Sequence, residues 1–167
     1  MTETLKGQIS QEEQFVVFTL ADEPYGVDVS QVRDITMVSK IAVVQGMPDF
    51  VEGTIDLRGQ IVAIVDLRKR FGLPERKKTK ETKIIVTDRA GIPIGMVIDQ
   101  VIEVMRLSVN SIEDLPDLVS DVTTDLIKAV GKLKDGTLLI IVDLEQVLSS
   151  EEMEKISKMV DKQSSDE

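Results

Sequence analysis

Carboxylates are the most abundant side chains in this sequence that could carry chemistry. The 167 residues include 30 Asp and Glu, but no His and no Cys. The chain therefore has no thiol nucleophile, no thiolate metal ligand, no disulfide and no imidazole base. Most of the carboxylates are interpreted as solvated surface, including the doublet Asp22-Glu23 in a predicted turn. A carboxylate-based or metal-assisted enzyme stays the alternative interpretation, because burial and neighbouring charges decide what a carboxylate can do.

Motifs for other kinds of chemistry are missing from the sequence. There is no Gly-rich phosphate loop ending in Lys-Ser or Lys-Thr, no dinucleotide fingerprint and no Ca²⁺-loop spacing. The net charge of −10 disfavours a nucleic-acid surface, which needs clustered Lys and Arg. The one basic run, Arg76-Lys77-Lys78-Thr79-Lys80, is interpreted as a solvated connection between two halves of the chain. These features predict a non-enzymatic protein without metal or cofactor that works by binding other proteins.

Composition predicts a folded protein with an aliphatic core. Hydrophobic residues make up 42% of the chain but aromatic residues only 3%, so Val, Ile and Leu must fill the interior. No apolar run approaches the roughly 20 residues of a membrane span. The N-terminus also lacks a basic flank followed by an apolar signal core. We therefore expect a soluble cytoplasmic protein with no direct membrane insertion.

A short β-hairpin occurs twice. The nine residues from Gly59 to Leu67 reappear from Gly136 to Leu144, and five of the nine positions are identical. Each copy is a turn glycine, an apolar segment rich in β-branched residues, and an aspartate where the strand ends. Asp66 and Asp143 are suited to cap a following helical turn, because a carboxylate accepts hydrogen bonds from unpaired backbone N–H groups.

A second repeated block extends the duplication. Residues 15–35 align without gaps on residues 84–104, with six identities in 21 positions. Two matched blocks in the same order are typical of repeated architecture. Short strands and tight turns within each copy predict two small antiparallel β-barrels side by side. The segment Ile61–Val65 lacks strict alternation, which indicates a strand covered on both faces near the junction.

The remaining chain is assigned by local pattern. We expect a disordered tail at 1–13 and a single domain at 14–148, with lobe one at about 14–82 and lobe two at about 83–148. Ser30 is expected to cap a short helix carrying Val32 and Ile35 on one face. Residues 108–125 show no clear pattern. An apolar stripe predicts a C-terminal helix at 149–162 that packs on the core, and 163–167 is expected to be a disordered tail. The stripe consists of Met153, Ile156, Met159 and Val160.

Several motifs together resemble the CheW family of bacterial chemotaxis coupling proteins. The pattern from Phe15 to Ile35, Phe-x-x-Phe-x-Leu followed by Tyr-Gly-Val-Asp-Val and Val-x-Asp-Ile, is similar to the opening of that family. Gly53-x-x-Asp-Leu-Arg-Gly59 followed by Val-Asp-Leu is similar to its most recognisable motif. The chain departs mildly from the family pattern, which commonly has asparagine at position 56, glutamate at position 34 and proline at position 63.

The resemblance implies a fold and a function. The implied fold is mainly β, with two five-stranded SH3-like barrels in a pseudo-twofold arrangement, short helices and a C-terminal α-helix. The implied function is a non-enzymatic adaptor in chemotaxis. Such an adaptor joins the cytoplasmic helical tip of chemoreceptors (methyl-accepting chemotaxis proteins) to the regulatory domain of the histidine kinase CheA. The resemblance also implies a cytoplasmic protein recruited to membrane-associated receptor arrays by its partners.

The resemblance further implies a receptor-binding groove between the lobes, with Gly53 as the backbone pivot of the hairpin. By motif position, the receptor-binding residues are Val32, Asp34, Ile35, Gly53, Arg58, Val101 and Val104. From the residues alone, Arg58 is otherwise a solvated turn residue and the valines are otherwise core. The repeat nevertheless makes Val32 equivalent to Val101, so a pseudo-twofold axis would bring the pair to one junction. Kinase contacts are expected at a barrel end in the second lobe, without assigned residues.

Overall fold

The protein is built from β-strands in two sheets. A computed structural model describes residues 11–114 and 126–165, and in these ranges eleven strands and two α-helices are present. The strands are β1 (Glu12–Leu20), β2 (Glu23–Asp28), β3 (Asp34–Met37), β4 (Val51–Leu57), β5 (Gln60–Asp66), β6 (Lys83–Arg89), β7 (Ile92–Ile98), β8 (Gln100–Ser108), β9 (Ile112–Asp114), β10 (Ile127–Lys132) and β11 (Leu138–Val142). The helices are α1 (Leu67–Arg70) and α2 (Ser150–Ser165). The predicted mainly β fold with a C-terminal helix is confirmed.

Each sheet takes strands from both halves of the chain. The six-stranded sheet has the order β8-β1-β2-β11-β10-β9, and the five-stranded sheet has the order β3-β6-β7-β5-β4. Hairpin β1–β2 of the first repeat thus joins β10–β11 of the second, while β6–β7 joins β4–β5. The expected division at about 14–82 and 83–148 therefore does not separate the two sheets. Strand β9 adds a sixth strand to one of the sheets, where five were expected.

The duplication is visible in the strand register. In the five-stranded sheet, Ile64 of β5 lies opposite Gly95 of β7 in a parallel pair. In the six-stranded sheet, the repeat-equivalent residues Ile141 and Gly26 pair in the same way. The antiparallel pairs β3–β6 and β8–β1 also match in register under the repeat alignment. The two sheets are therefore structural copies that exchange hairpins.

Three apolar clusters hold the molecule together. The interior of the six-stranded sheet contains Phe15, Val17, Leu107, Ala129, Leu139 and Ile141, and that of the five-stranded sheet contains Ile55, Val62, Ile64, Ile84, Val86 and Val97. A larger cluster, called here the shared core, lies between the sheets and under α2. Strand β5 sends Val62 and Ile64 into a sheet interior but Ala63 and Val65 into the shared core. The prediction that this strand is covered on both faces is confirmed.

Both sheets curl and close. Leu107 of β8 approaches Gly131 of β10 so closely that a Cβ on Gly131 would lie 2.7 Å from Leu107 Cδ1. In the five-stranded sheet, Ala42 bridges to Thr54 through N–H···O bonds of 2.8 and 2.9 Å. The first contact joins end strand β8 to β10, the next-to-last strand at the other end of the same sheet order. The second joins the segment after end strand β3 to β4 at the opposite end of its sheet order. Both are as expected for small SH3-like barrels.

The segment after β2 differs from the predicted helix. Residues Val29–Gln31 form a single 3-10 turn, and its N-cap is Asp28, whose side chain accepts a hydrogen bond from the Ser30 N–H. The chain then enters β3 at Asp34. β-branched residues favour a strand here, and β6 offers an edge on which β3 can pair. Ser30 is therefore not a helix cap, and Ile35 is a strand residue.

Helix α2 packs as predicted but extends further. Ser149 and Glu152 form a capping box, with Ser149 Oγ accepting from the Glu152 N–H and Glu152 Oε1 accepting from the Ser149 N–H. The predicted apolar stripe enters the shared core. The helix continues to Ser165, and Gln163 Oε1 accepts a hydrogen bond from Thr54 Oγ1 at 2.7 Å. The expected tail thus overlaps the helix at 163–165, and its last two residues lie outside the described ranges.

The expected N-terminal tail also differs from the structure at its inner end. Strand β1 begins at Glu12, so residues 12 and 13 pair with β8. Residues 1–10 lie outside the described ranges, as do residues 115–125 of the segment without clear pattern. The described part of that segment contains the end of β8 and strand β9.

Candidate functional site

The margin of the shared core at the edge strands β3 and β8 is called here the seam. Val32 precedes β3 and Val101 lies at the start of β8. Both are partly buried, and both pack against the shared core. The two repeat-equivalent valines therefore border one cluster, as the duplication predicts.

Exposed aliphatic side chains continue the seam along the same strands. Ile35 pairs with Ile85 and Val104 pairs with Val16. Directly paired residues share a sheet face, and both partners are buried in the shared core. Ile35 is nevertheless 37% exposed and Val104 57% exposed, because β3 and β8 stand at the ends of their sheet orders. The seam thus carries apolar surface that extends outward from a buried core.

Arg58 and Asp34, both predicted from motif position, are joined in the structure. Arg58 occupies the β4–β5 turn with φ of 53°, and Asp56 Oδ1 accepts from the Gly59 N–H in the same turn. Arg58 Nη1 donates to Asp34 Oδ2 at 2.9 Å. The Arg58 side chain is 77% exposed, so this pair adds little stability. Its effect is to fix the direction of an exposed guanidinium beside the start of β3.

Arg33 adds a second cation that the motif reasoning did not select. Its Nη1 contacts Asp88 Oδ1 at 3.1 Å, and its Nη2 donates to Gln60 Oε1 at 2.8 Å. The adjacency of Arg33 to Asp34 was visible in the sequence. Its partners lie 55 and 27 residues away in the chain, on β6 and at the start of β5, so only the folded structure reveals them. Two arginines therefore flank the β3 end of the seam.

Gly53 lies inside the five-stranded barrel and away from its surface. It is buried, with φ of +147°, and a Cβ built on it would lie 2.0 Å from the Ala42 carbonyl oxygen. The glycine is required by the close approach of the chain at the bridge from Ala42 to Thr54. This position is consistent with a structural role in shaping the hairpin. Because Gly53 is buried and has no side chain, it does not itself offer a side-chain contact to a partner.

A buried ion pair fixes the sheets to each other where β7 crosses to β8. Arg68 Nε donates to Asp99 Oδ1 at 2.7 Å, Arg68 Nη2 bonds to Asp99 Oδ2, and the Ala21 N–H donates to Asp99 Oδ2 at 2.9 Å. Arg68 Nη1 donates to the Pro74 carbonyl oxygen at 2.8 Å. Burial raises the pKa of Asp99, but the bonds from Arg68 and Ala21 outweigh it and leave that pKa lowered.

A polar hollow of about 180 Å³ beside this ion pair brings Asp66 and Asp99 together with basic residues. Burial, with the nearby charge of Glu52, raises the pKa of Asp66. Opposite pKa shifts in neighbouring carboxylates can indicate acid–base chemistry. Asp66, however, caps α1 by accepting from the Arg68 N–H, and Asp99 is bound to Arg68. Within the described ranges, no three Asp or Glu side chains are grouped to hold a metal ion.

Comparison with known proteins identifies the family. The model of the CheW-like domain matches residues 14–152.

The chain belongs to the CheW-like family.

Several relatives agree with this assignment. Chemotaxis protein CheW of Klebsiella aerogenes is 35% identical over 141 residues, which cover 84% of each chain. Chemotaxis protein CheW of Bacillus subtilis is 33% identical, covering 88% of this chain and 94% of the relative. The crystal structure of the scaffolding protein TtCheW from Thermoanaerobacter tengcongensis matches with a TM-score of 0.76 and 35% identity, covering 84% of this chain and 94% of that chain. The family match therefore rests on both sequence and fold.

The described helices are too short or too polar to cross a membrane. The longest of them, α2, places charged residues on its outer side and packs its apolar stripe against the shared core.

Proposed function

We propose that this protein is a non-enzymatic adaptor that couples chemoreceptors to the histidine kinase CheA in bacterial chemotaxis. The observation that carries the proposal is the seam, where exposed Ile35 and Val104 extend the shared core at the edges of both barrels. An amphipathic helix can cover such a surface with its apolar face. The family assignment supplies the setting, since relatives carry the names chemotaxis protein and scaffolding protein.

On the receptor side, the partner is the cytoplasmic helical tip of a chemoreceptor. Val32 and Val101 form the partly buried floor of the contact, and Ile35 and Val104 form its exposed walls. Arg58 supplies a cation at the margin, and Asp34 holds that cation in one direction. Arginine beside apolar groups is a common composition of interface hot spots.

On the kinase side, the partner is the regulatory domain of CheA, which contacts a barrel end. The end of the six-stranded barrel near β8 and β10 supports this assignment, because a hollow of about 570 Å³ opens there. Met105 and Leu133, which are partly buried against the barrel interior, line it. A barrel of similar construction could stack on this apolar opening. The protein itself works in the cytoplasm, and its partners recruit it to membrane-associated receptor arrays.

Co-sedimentation with receptor-containing membranes, with and without CheA, tests the proposal. The wild-type protein should sediment with the receptors and should increase the amount of CheA that sediments. Arg58→Glu should keep a wild-type circular dichroism spectrum, because the side chain is exposed, and should weaken receptor binding by about 2 kcal/mol or more. Lys128→Glu on β10 is a matched control, because it reverses an exposed charge on a strand that is not part of the seam.

Two results would contradict parts of the proposal separately. Full receptor affinity in folded Arg58→Glu would remove Arg58 from the receptor site. A wild-type protein that sedimented with neither the receptors nor the CheA regulatory domain would remove the adaptor function itself.

A further inference from the structure

Two large apolar side chains on the edge strands lie outside every motif described above. Met37 on β3 is 66% exposed, and Ile102 on β8 is 48% exposed. Both are more exposed than Ile35, which the motif reasoning selected. Scattered exposed aliphatics are ordinary on protein surfaces, so their position relative to the seam decides whether they matter.

Strand geometry places both residues on the seam. Met37 is two residues after Ile35 on β3, and Ile102 is two residues before Val104 on β8. Side chains two residues apart share a face of a strand. Met37 therefore continues the apolar face on which Ile35 lies beside the shared core. On β8 the pairs Val17–Glu103 and Phe18–Val101 are consecutive, so Ile102 is the extra residue of a β-bulge. It lies between Val101 and Val104, whose β1 partners Phe18 and Val16 are both in the shared core. Ile102 is therefore an exposed residue between two residues of the seam.

The repeat shows that the two edges have diverged at these positions. Under the alignment of residues 15–35 on 84–104, Ile35 is equivalent to Val104, and Arg33 is equivalent to Ile102. Continuing the alignment by two residues makes Met37 equivalent to Arg106. One edge therefore has the order Arg, Ile, Met, and the other has Ile, Val, Arg. The backbone register is the same for residues 34–37 and 103–106, so the difference between Met37 and Arg106 lies in the side chains.

This divergence has a consequence for partner choice. A seam with equal edges would present the same chemistry to a helix lying in either direction. An apolar residue on one edge where the other carries an arginine favours one placement and penalises others, which is how interfaces gain specificity. Arg33 donates to Asp88 and Gln60, which places this cation beside β3.

We propose that Met37 and Ile102 are specificity-determining residues of the seam. They select a receptor helix whose apolar stripe continues beyond the residues that cover Ile35 and Val104. This inference rests on the proposed receptor-binding function, and it adds two contacts that no motif assigns.

The test measures affinity for two chemoreceptor signalling fragments from the same organism, incorporated in membranes, by co-sedimentation with full-length protein. Ile102→Arg, which copies the equivalent residue of the other edge, should weaken binding by about tenfold, and Met37→Gln by about threefold. Leu138→Arg is the matched control, because Leu138 is 54% exposed on β11, and it should change affinity by less than about twofold.

A specificity role also predicts a change that simple loss of stability would not produce. The ratio of the affinities for the two fragments should shift in Ile102→Arg and in the exchange variant Arg33→Ile with Ile102→Arg, but not in Leu138→Arg. If Arg58→Glu weakens binding while Met37→Gln and Ile102→Arg stay within about twofold of wild type at an unchanged ratio, the inference is overturned and the adaptor function stands. If wild type does not bind either fragment, the adaptor function fails first.

Discussion

The two barrels share a strand register but are secured by different side chains. Where β7 crosses to β8, the buried pair of Arg68 and Asp99 fastens the sheets, with side-chain exposures of 7% and 15%. Where β2 crosses to β3, the contact joins an uncharged side chain to a carboxylate, with Gln31 Nε2 donating to Asp143 Oδ1 at 2.7 Å. The comparison teaches that duplication preserves backbone pairing most strongly, while the polar contacts at equivalent junctions can diverge.

The two barrels also close through different contacts, at Gly53 in one and at Gly131 in the other. Substitutions at these glycines should give the largest difference in stability between the barrels. Gly53→Ala should lower the free energy of unfolding by about 3 kcal/mol or more, because the left-handed φ and the contact with backbone at Ala42 both oppose a side chain. Gly131→Ala should cost only about 1 kcal/mol, because the obstructing atom is the mobile end of Leu107. Urea denaturation at neutral pH measures both values. Equal losses in the two variants would mean that the closures are alike.

The two junctions can be compared by removing one partner from each. Arg68→Met should cost about 3 kcal/mol, because it removes the main counter-charge of the largely buried Asp99 carboxylate and leaves only Arg76 Nη1, at 3.7 Å. Gln31→Met should cost about 1 to 2 kcal/mol, because it removes the hydrogen bonds to the Asp143 carboxylate and from the Leu144 N–H. The Asp143 carboxylate still accepts from the Glu145 N–H. Urea denaturation again supplies the measurement. In the double variant Arg68→Met with Asp99→Asn, part of the loss should be recovered, and no recovery would contradict the ion-pair explanation.

The smallest expected effect is on how the free energy of unfolding depends on pH. Asp99 and Asp66 should change this dependence in opposite directions. The pKa of Asp99 is lowered in the folded state, so its stabilisation is present above the unfolded pKa of about 3.9 and is lost as pH falls through the folded pKa. Asp99→Asn should therefore flatten the acid side of the stability profile. The pKa of Asp66 is raised, so its contribution is lost as pH rises through the folded pKa.

Asp66→Asn tests the opposite pH dependence, which the raised pKa of Asp66 predicts. Asparagine keeps the helix cap, so this variant isolates the charge and should remove the loss of stability on the alkaline side of the transition. Free energies of unfolding between about pH 3 and pH 7 measure both profiles. Parallel changes in the two variants would contradict the opposite pKa shifts.

Local elements and the duplication were predictable from the sequence because they depend on neighbouring residues. The apolar run at Ile61–Val65 indicated a strand covered on both faces, and the spacing of Met153, Ile156 and Met159 indicated a packed helix. Both predictions are confirmed. The prediction of a helix capped by Ser30 was wrong, because the pairing of β3 with β6 outweighed the local preference for a helix cap.

The exchange of hairpins was not predictable in this way. Self-similarity shows which segments are equivalent, but it does not show which copy supplies the neighbouring strand. The salt bridge between Arg58 and Asp34 was likewise hidden, although both residues were selected, because it depends on how the β4–β5 turn meets β3. Arg33, Met37 and Ile102 could be assigned to the seam only after the structure showed which strands form the sheet edges.

The exchanged hairpins bear on the origin of the molecule. A lone ancestral unit, equivalent to one half of this chain, would have held only some of the strands of each barrel and could have completed neither. Two copies would have had to trade hairpins as a homodimer. The basic stretch around Arg76 now links the halves covalently, and its ion pairs to Asp22 and Asp99 tie the former chain ends into the body. Cutting the chain there should yield two fragments that fold only when mixed.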